Sequence, residues 1–121
     1  MSSKIGKYDI NIVQGADIND LTIIPKESDG TAIDLTGFTA RLQIRPDARS
    51  KTILDTLTTE NDRITILENE NNFWEITIKF PSSVTSKYSF KSATYNLEVV
   101  HGTLVDRYLQ GVVNIDNDGN R

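Results

Sequence analysis

The sequence has no cysteine, one histidine, one tryptophan, one methionine and three prolines in 121 residues. Without cysteine there is no disulfide framework, no thiolate zinc site, no thiol catalysis and no cysteine-ligated iron–sulfur cluster. A single histidine, His101, excludes a multi-histidine metal site within one chain. Positive charge is in deficit: 13 Lys and Arg stand against 17 Asp and Glu, for a net charge of -4. That balance argues against sequence-independent nucleic-acid binding. No apolar run approaches the length of a membrane span. The first residues, Met1 to Lys7, lack the apolar stretch of a secretory signal, which argues against export by that route. Alanine is scarce, at five residues.

What the chain has instead is branching at Cβ. There are 14 Ile, 7 Val and 13 Thr. Such side chains lose rotamer freedom in a helix and pack well on a pleated sheet, so the composition favours strands. The chain is 37% hydrophobic and 25% charged, which suits one packed domain and not a disordered chain.

Apolar residues recur with a period of two between turn signals. Tyr8, Ile10 and Ile12 share one face of a first strand. A second, over 18–25, sets Ile18, Thr22 and Ile24 opposite Leu21 and Ile23, and Pro25 ends it. Asp29-Gly30 marks a turn. Phe38, Ala40, Leu42 and Ile44 then alternate with Thr39, Arg41, Gln43 and Arg45, the cleanest two-sided pattern in the chain. Short strands follow over 53–58, around Ile64 and Ile66, and over 73–80, where Trp74 shares register with Ile76, Ile78 and Phe80. Residues 82–87 predict one helical turn capped by Ser82. The last quarter reads as a long hairpin turning at His101-Gly102, with a bulge or a solvent-exposed end where Arg107 interrupts the register. Seven or eight short strands at this spacing predict an all-β, antiparallel β-sandwich, with a partly closed barrel as the alternative. The expected layout is a flexible N-terminal arm over 1–7, one sandwich over 8–115 and a polar tail over 116–121.

Catalytic motifs are missing: there is no nucleophile elbow, phosphate-binding loop, dinucleotide fingerprint or zinc-protease pair. His101 falls in a hairpin turn, where exposure is the ordinary outcome. Glu68, Glu70 and Glu75 read as solvated loop and strand acids, although a spatially assembled pair stays open. The tail Asp116 to Asn120 fails as a calcium loop, since Arg121 occupies the position that needs glycine. The expectation is a non-enzyme with no cofactor and no metal. Arg41, Arg45, Arg49 and Lys51 form the one local basic cluster, either the wet face of a strand or a docking surface for an acidic partner. Phe73 and Tyr88 are aromatics that either cover the core locally or stand exposed as protein- or sugar-stacking anchors.

Several segments resemble a family. The opening Tyr8-Asp9-Ile10-Asn11-Ile12-Val13-Gln14-Gly15-Ala16-Asp17 and the run from Asp29-Gly30 through Ile33-Asp34-Leu35-Thr36-Gly37-Phe38 to Gln43-Ile44-Arg45 look like those of small phage and prophage tail-associated proteins. Residues 57–66 and Tyr95-Asn96-Leu97-Glu98-Val99 continue the likeness in order. The domain type is also similar to the immunoglobulin-like N-terminal domain of phage baseplate upper proteins. The resemblance implies an immunoglobulin-like sandwich that acts as a structural subunit of a tailed-bacteriophage tail, baseplate or neck. It implies partners among other virion proteins, a symmetric homo-oligomer in the particle, and no nucleic-acid or membrane partner. The location implied is the virion, and the host cytoplasm during assembly. Baseplate upper proteins continue into a stalk, so a stand-alone accessory subunit is the form expected here. A carbohydrate-binding or adhesion module using exposed aromatics is the alternative.

Overall fold

The computed structural model describes residues 6–16, 20–27 and 29–116. Its strands are β1 (Gly6–Lys7), β2 (Ile10–Val13), β3 (Leu21–Ile23), β4 (Thr39–Arg45), β5 (Asp55–Thr58), β6 (Ile64–Glu68), β7 (Trp74–Ile78), β8 (Ser92–His101) and β9 (Leu104–Asp116), with one helical turn, α1 (Ser82–Thr85). The larger sheet runs β1-β9-β8-β4-β5, with β2 also on β9, and the smaller runs β3-β7-β6.

Side-chain alternation explains why the sheets face each other. On β4, Ala40, Leu42 and Ile44 are buried while Thr39, Arg41, Gln43 and Arg45 lie on the opposite side. On β8, Ala93, Tyr95, Leu97 and Val99 point the same way. Ile64, Ile76 and Ile78 of the smaller sheet meet them, and Phe80 fills the space beyond β7. The pleat fixes this partition: a slip of one residue would expose every core side chain.

The strand order is that of an immunoglobulin fold. With β3, β4, β8 and β9 taken as strands B, C, F and G, the larger sheet is G-F-C-C′ and the smaller is B-E-D. The sandwich expected from turn spacing is therefore present, and it is immunoglobulin-like. Its strands number nine among the described residues, against the seven or eight expected. The ninth is β1, which lies within the segment expected as an arm: Gly6 and Lys7 pair with Leu109 and Gln110. Residues 1–5 of that arm and 117–121 of the tail lie outside the described residues, while Asp116 belongs to β9.

The pairing is not wholly antiparallel. β1 and β2 run parallel to β9, and a single register offset links Gly6 to Leu109, Lys7 to Gln110 and Ile10 to Val113. They are one strand interrupted at Tyr8-Asp9. Alternation shows which side of a strand is buried but carries no direction, so the sequence pattern could not reveal this.

Three local expectations shift. The second strand is shorter than predicted and ends at Ile23; Thr22 and Ile24 lie opposite Leu21 and Ile23 as expected, the first pair exposed and the second partly buried, and residues 17–19 lie outside the described residues. The strand predicted from 53 begins at Asp55. The cap position of α1 is Pro81, with no side-chain cap bond, so Ser82 is the first helical residue instead. The bulge near Arg107 is present: Leu97 pairs with Leu109 and Glu98 with Arg107, leaving Tyr108 as the extra residue on β9.

Candidate functional site

The larger sheet turns a polar face outward. Cross-strand register sets its rows: Thr58, Arg41, Glu98 and Arg107 in one, and Thr56, Gln43, Asn96, Gln110 and Lys7 in the next. Arg41 donates from Nη2 to Glu98 Oε1 in an exposed ion pair. Arg45 donates from Nη2 to Gln43 Oε1 at 2.9 Å, and its Nε is buried with no acceptor among the described residues. The turn after β4 folds back over this face, so that Ala48 joins Lys7, Thr94, Asn96, Gln110 and Val112 around a shallow groove of about 370 Å³. Arg49 and Lys51 are exposed beside it. The structure thus brings Arg41 and Arg45 onto one face as the alternation required, with Arg49 and Lys51 at its border. Lys7 and Arg107 extend the same basic surface and were missed. The signal for Lys7 was its constant offset from β9, which only a known pairing reveals.

Beneath the groove, Tyr8 and Asp9 hold the interrupted edge. The Tyr95 hydroxyl donates to the Tyr8 carbonyl at 2.5 Å, and the Val112 N–H donates to Asp9 Oδ1 at 3.1 Å. A side-chain carboxylate here replaces a backbone acceptor in the ladder. Burial raises the Tyr95 hydroxyl pKa above its ordinary value, and the nearby Asp9 charge raises it further.

Tyr88 is neither free nor on the same surface. It is half-buried, packs on Phe90 with ring centroids 4.9 Å apart, and donates from its hydroxyl to Asp55 Oδ2 at 2.5 Å. The same oxygen accepts from Arg63 Nη2 at 3.2 Å, and Arg63 Nε donates to the Lys79 carbonyl at 3.3 Å. Asp55 lies on the larger sheet and Arg63 immediately precedes β6 of the smaller, so this cluster closes one open edge of the sandwich. Burial, then the Asp55 hydrogen bond, raises the Tyr88 hydroxyl pKa. Gln14 adds a second tie, donating from Nε2 to the carbonyls of Thr85 and Tyr88 at 2.9 Å each.

The loop end holds the other aromatics. Phe73 is half-buried, with the Lys26 ammonium 5.1 Å from its ring centroid. One face of its ring is thus engaged by a cation of the β3–β4 segment. His101 is exposed as expected and lies against Phe38, ring centroids 4.9 Å apart. A second groove, about 310 Å³, lies between the β3–β4 segment and the β6–β7 turn, lined by Ala32, Asp34, Thr36, Glu68, Asn72 and Trp74. Asp34 Oδ1 accepts from the Thr36 hydroxyl at 2.6 Å and the Thr36 N–H at 2.9 Å, and these bonds hold its carboxyl below the usual range. The indole N–H of Trp74 has no acceptor among the described residues. Sequence pattern placed Trp74 in the core register, and it does pack against the core, but its place at the start of β7 leaves it partly exposed at the sandwich mouth.

Among the described residues, no group of three or more His, Asp or Glu is placed to hold a metal ion, and no helix is long and apolar enough to cross a membrane. No protein-family model matches the chain, and no curated protein matches it. Among solved structures, the extracellular fragment of novel immune-type receptor 11 from Ictalurus punctatus, including its stalk region, is similar at 11% identity, over 98% of this chain and 90% of that one, with a TM-score of 0.40.

Proposed function

We propose that this chain is a non-enzymatic structural subunit of a tailed-bacteriophage particle, a tail, baseplate or neck accessory protein that docks to other virion proteins. The observation that carries the reading is the outward face of the larger sheet. The segments resembling phage tail-associated proteins supply much of it: 29–45 contains β4, 57–66 contains the end of β5, and 95–99 lies in β8. That face presents long polar and arginine side chains over five strands abreast while the same strands bury their apolar side in the core. Arginine-rich, flat surfaces of this kind suit protein interfaces. Mass spectrometry of purified particles is the direct test: the chain is expected at stoichiometric copy number, and its absence from intact particles refutes the role.

A second reading, a sugar-binding or adhesion module, is favoured by the groove of Trp74, Asp34, Glu68 and Asn72. An indole beside carboxylate and amide acceptors matches the mixed apolar and hydroxyl surface of a saccharide. Phe73 and Tyr88, the aromatics expected from sequence, are engaged elsewhere. Glycan-array signal that disappears on Trp74→Ala supports this reading; a blank array removes it.

A further inference from the structure

Charge is segregated on this acidic chain. The outward face of the larger sheet and its bordering turn carry Lys7, Arg41, Arg45, Arg49, Lys51 and Arg107 against Asp9, Asp47, Glu98 and Asp116. Of those acids, Asp9 accepts from Val112 N–H and Glu98 is paired with Arg41. The loop end is the reverse: Lys26 stands alone among Glu27, Asp29, Asp34, Glu68 and Glu70, all exposed. A face with a net excess of two cations and an end with a net excess of four anions therefore sit on one sandwich.

We propose that the larger sheet of one copy docks onto the acidic loop end of a second copy, head to tail. The charges select this arrangement over its rival. Two larger sheets face to face would set cation against cation, and two loop ends would set carboxylate against carboxylate, both repulsive. The head-to-tail contact places opposite signs together. It uses two different surfaces, so each docked copy leaves one of each free, and the assembly closes into a ring or extends as a file.

Size sets the strength. Five strands abreast at about 4.8 Å, each exposing about seven residues at about 3.4 Å, give a face of roughly 570 Å². A standard stable interface uses about 800 Å² per partner. The contact is therefore weak, charge-driven and salt-sensitive. It becomes occupied where neighbours are already held close, because tethering raises effective concentration. This deepens the symmetric repetition in the proposed virion role, but its test needs no particle.

The experiment is sedimentation equilibrium of the purified chain up to about 1 mM, at about 20 mM and about 500 mM salt. The weight-average mass is expected to rise above 13.6 kDa with concentration at low salt and to return to it at high salt. Two charge-reversed variants locate the surfaces. One carries Lys7→Glu, Arg49→Glu and Lys51→Glu; the other carries Glu68→Lys and Glu70→Lys. Each alone is expected to stay monomeric, and their equimolar mixture to associate again, since the first variant's unaltered acidic end then meets the second variant's unaltered sheet face. Circular dichroism establishes that both fold. A wild-type chain that stays monomeric at low salt overturns the proposal. So does self-association of the Glu68→Lys, Glu70→Lys variant, which points to another surface, or a mixture that stays monomeric. None of these outcomes bears on whether the chain is found in particles, which mass spectrometry decides separately.

Discussion

Replacing Gly111 by alanine tests how the first strand is fastened to the sandwich. A β-carbon built on Gly111 lies 2.2 Å from the Tyr8 carbonyl oxygen, 2.8 Å from its carbonyl carbon and 3.1 Å from Asp9 Oδ1. The obstruction is backbone, so it cannot swing aside as a flexible side chain could. Tyr8 is held by its N–H donating to the Gln110 carbonyl at 3.0 Å and by its carbonyl accepting from the Tyr95 hydroxyl, while Asp9 accepts from Val112. Pushing this edge away gives up three hydrogen bonds at about 1 kcal/mol each and leaves the Tyr95 hydroxyl unsatisfied in the core at about 1–3 kcal/mol more. The total is about 4–6 kcal/mol. Without the collision, alanine in an extended strand would stabilise the fold by about 0.5–1 kcal/mol relative to glycine, so the sign itself discriminates. At about 4 °C per kcal/mol for a domain of this size, the Tm is expected to fall by roughly 16–24 °C. Thermal unfolding by circular dichroism reads this directly. Hydrogen exchange should also speed up at Tyr8 and Val112. Tyr95→Phe alone should cost about 1–2 kcal/mol, and should cost almost nothing in the Gly111→Ala background, where its acceptor has already moved. Wild-type stability of Gly111→Ala, or full additivity of the two changes, refutes this account of the edge.

Alkaline pH should weaken the fold in a defined window. The hydroxyls of Tyr88 and Tyr95 have folded pKa values raised above the ordinary 10.0, so the neutral forms favour the native state. Their contribution is complete below about pH 10 and is lost as pH rises toward the folded values, at about 1.4 kcal/mol per pH unit for each tyrosine. Denaturant midpoints between about pH 9 and 11 should show this slope, and Tyr88→Phe should reduce it by about half; a flat profile counts against both buried hydroxyls. Asp55→Ala removes the acceptor of both Tyr88 and Arg63 and should destabilise by about 2–4 kcal/mol, measured by urea unfolding. Loss below about 1 kcal/mol would show that the edge cluster does not hold the sheets together. Arg41→Ala should change stability by less than about 1 kcal/mol, because its ion pair with Glu98 is exposed.

What was legible in the sequence follows from the physics of a strand. Period-two alternation is written into side-chain chemistry, and so β4, β7 and β8 and their buried faces could be read directly. The bulge was legible because Arg107 broke an apolar register. Parallel pairing of β1 and β2 with β9 was not, since it is decided by contacts over 103 residues and leaves no local trace. The basic cluster was legible in part: Arg41 and Arg45 lie two pleats apart on one strand, whereas Lys7 and Arg107 join them only through sheet pairing. The aromatics were hardest. Whether Tyr88 faces water depends on Asp55 and Arg63 arriving from other strands, and whether Trp74 is core or rim depends on where the facing loop ends.

The absence of cysteine explains why these polar contacts sit where they do. In antibody domains a disulfide joins strands B and F across the core. Here β3 and β8 meet only through packing, with Leu21 and Ile23 against a core that includes Tyr95 and Leu97. That packing is non-directional and leaves the two sheet edges free to part. Side-chain hydrogen bonds do the fastening instead: Tyr95 to Tyr8 within the larger sheet, Asp55 to Arg63 and Tyr88 between the sheets, and Gln14 to Thr85 and Tyr88. A disulfide acts mainly by restricting the unfolded chain, whereas these ties act only once the fold exists. They therefore add stability to the native state without speeding the search for it, and they can be undone by proton or mutation one at a time. For the docking proposed above, the consequence is specific. The edges that keep that face flat are separable from the residues that bind, so edge variants should lose stability first, and charge variants on the face should lose docking while keeping it.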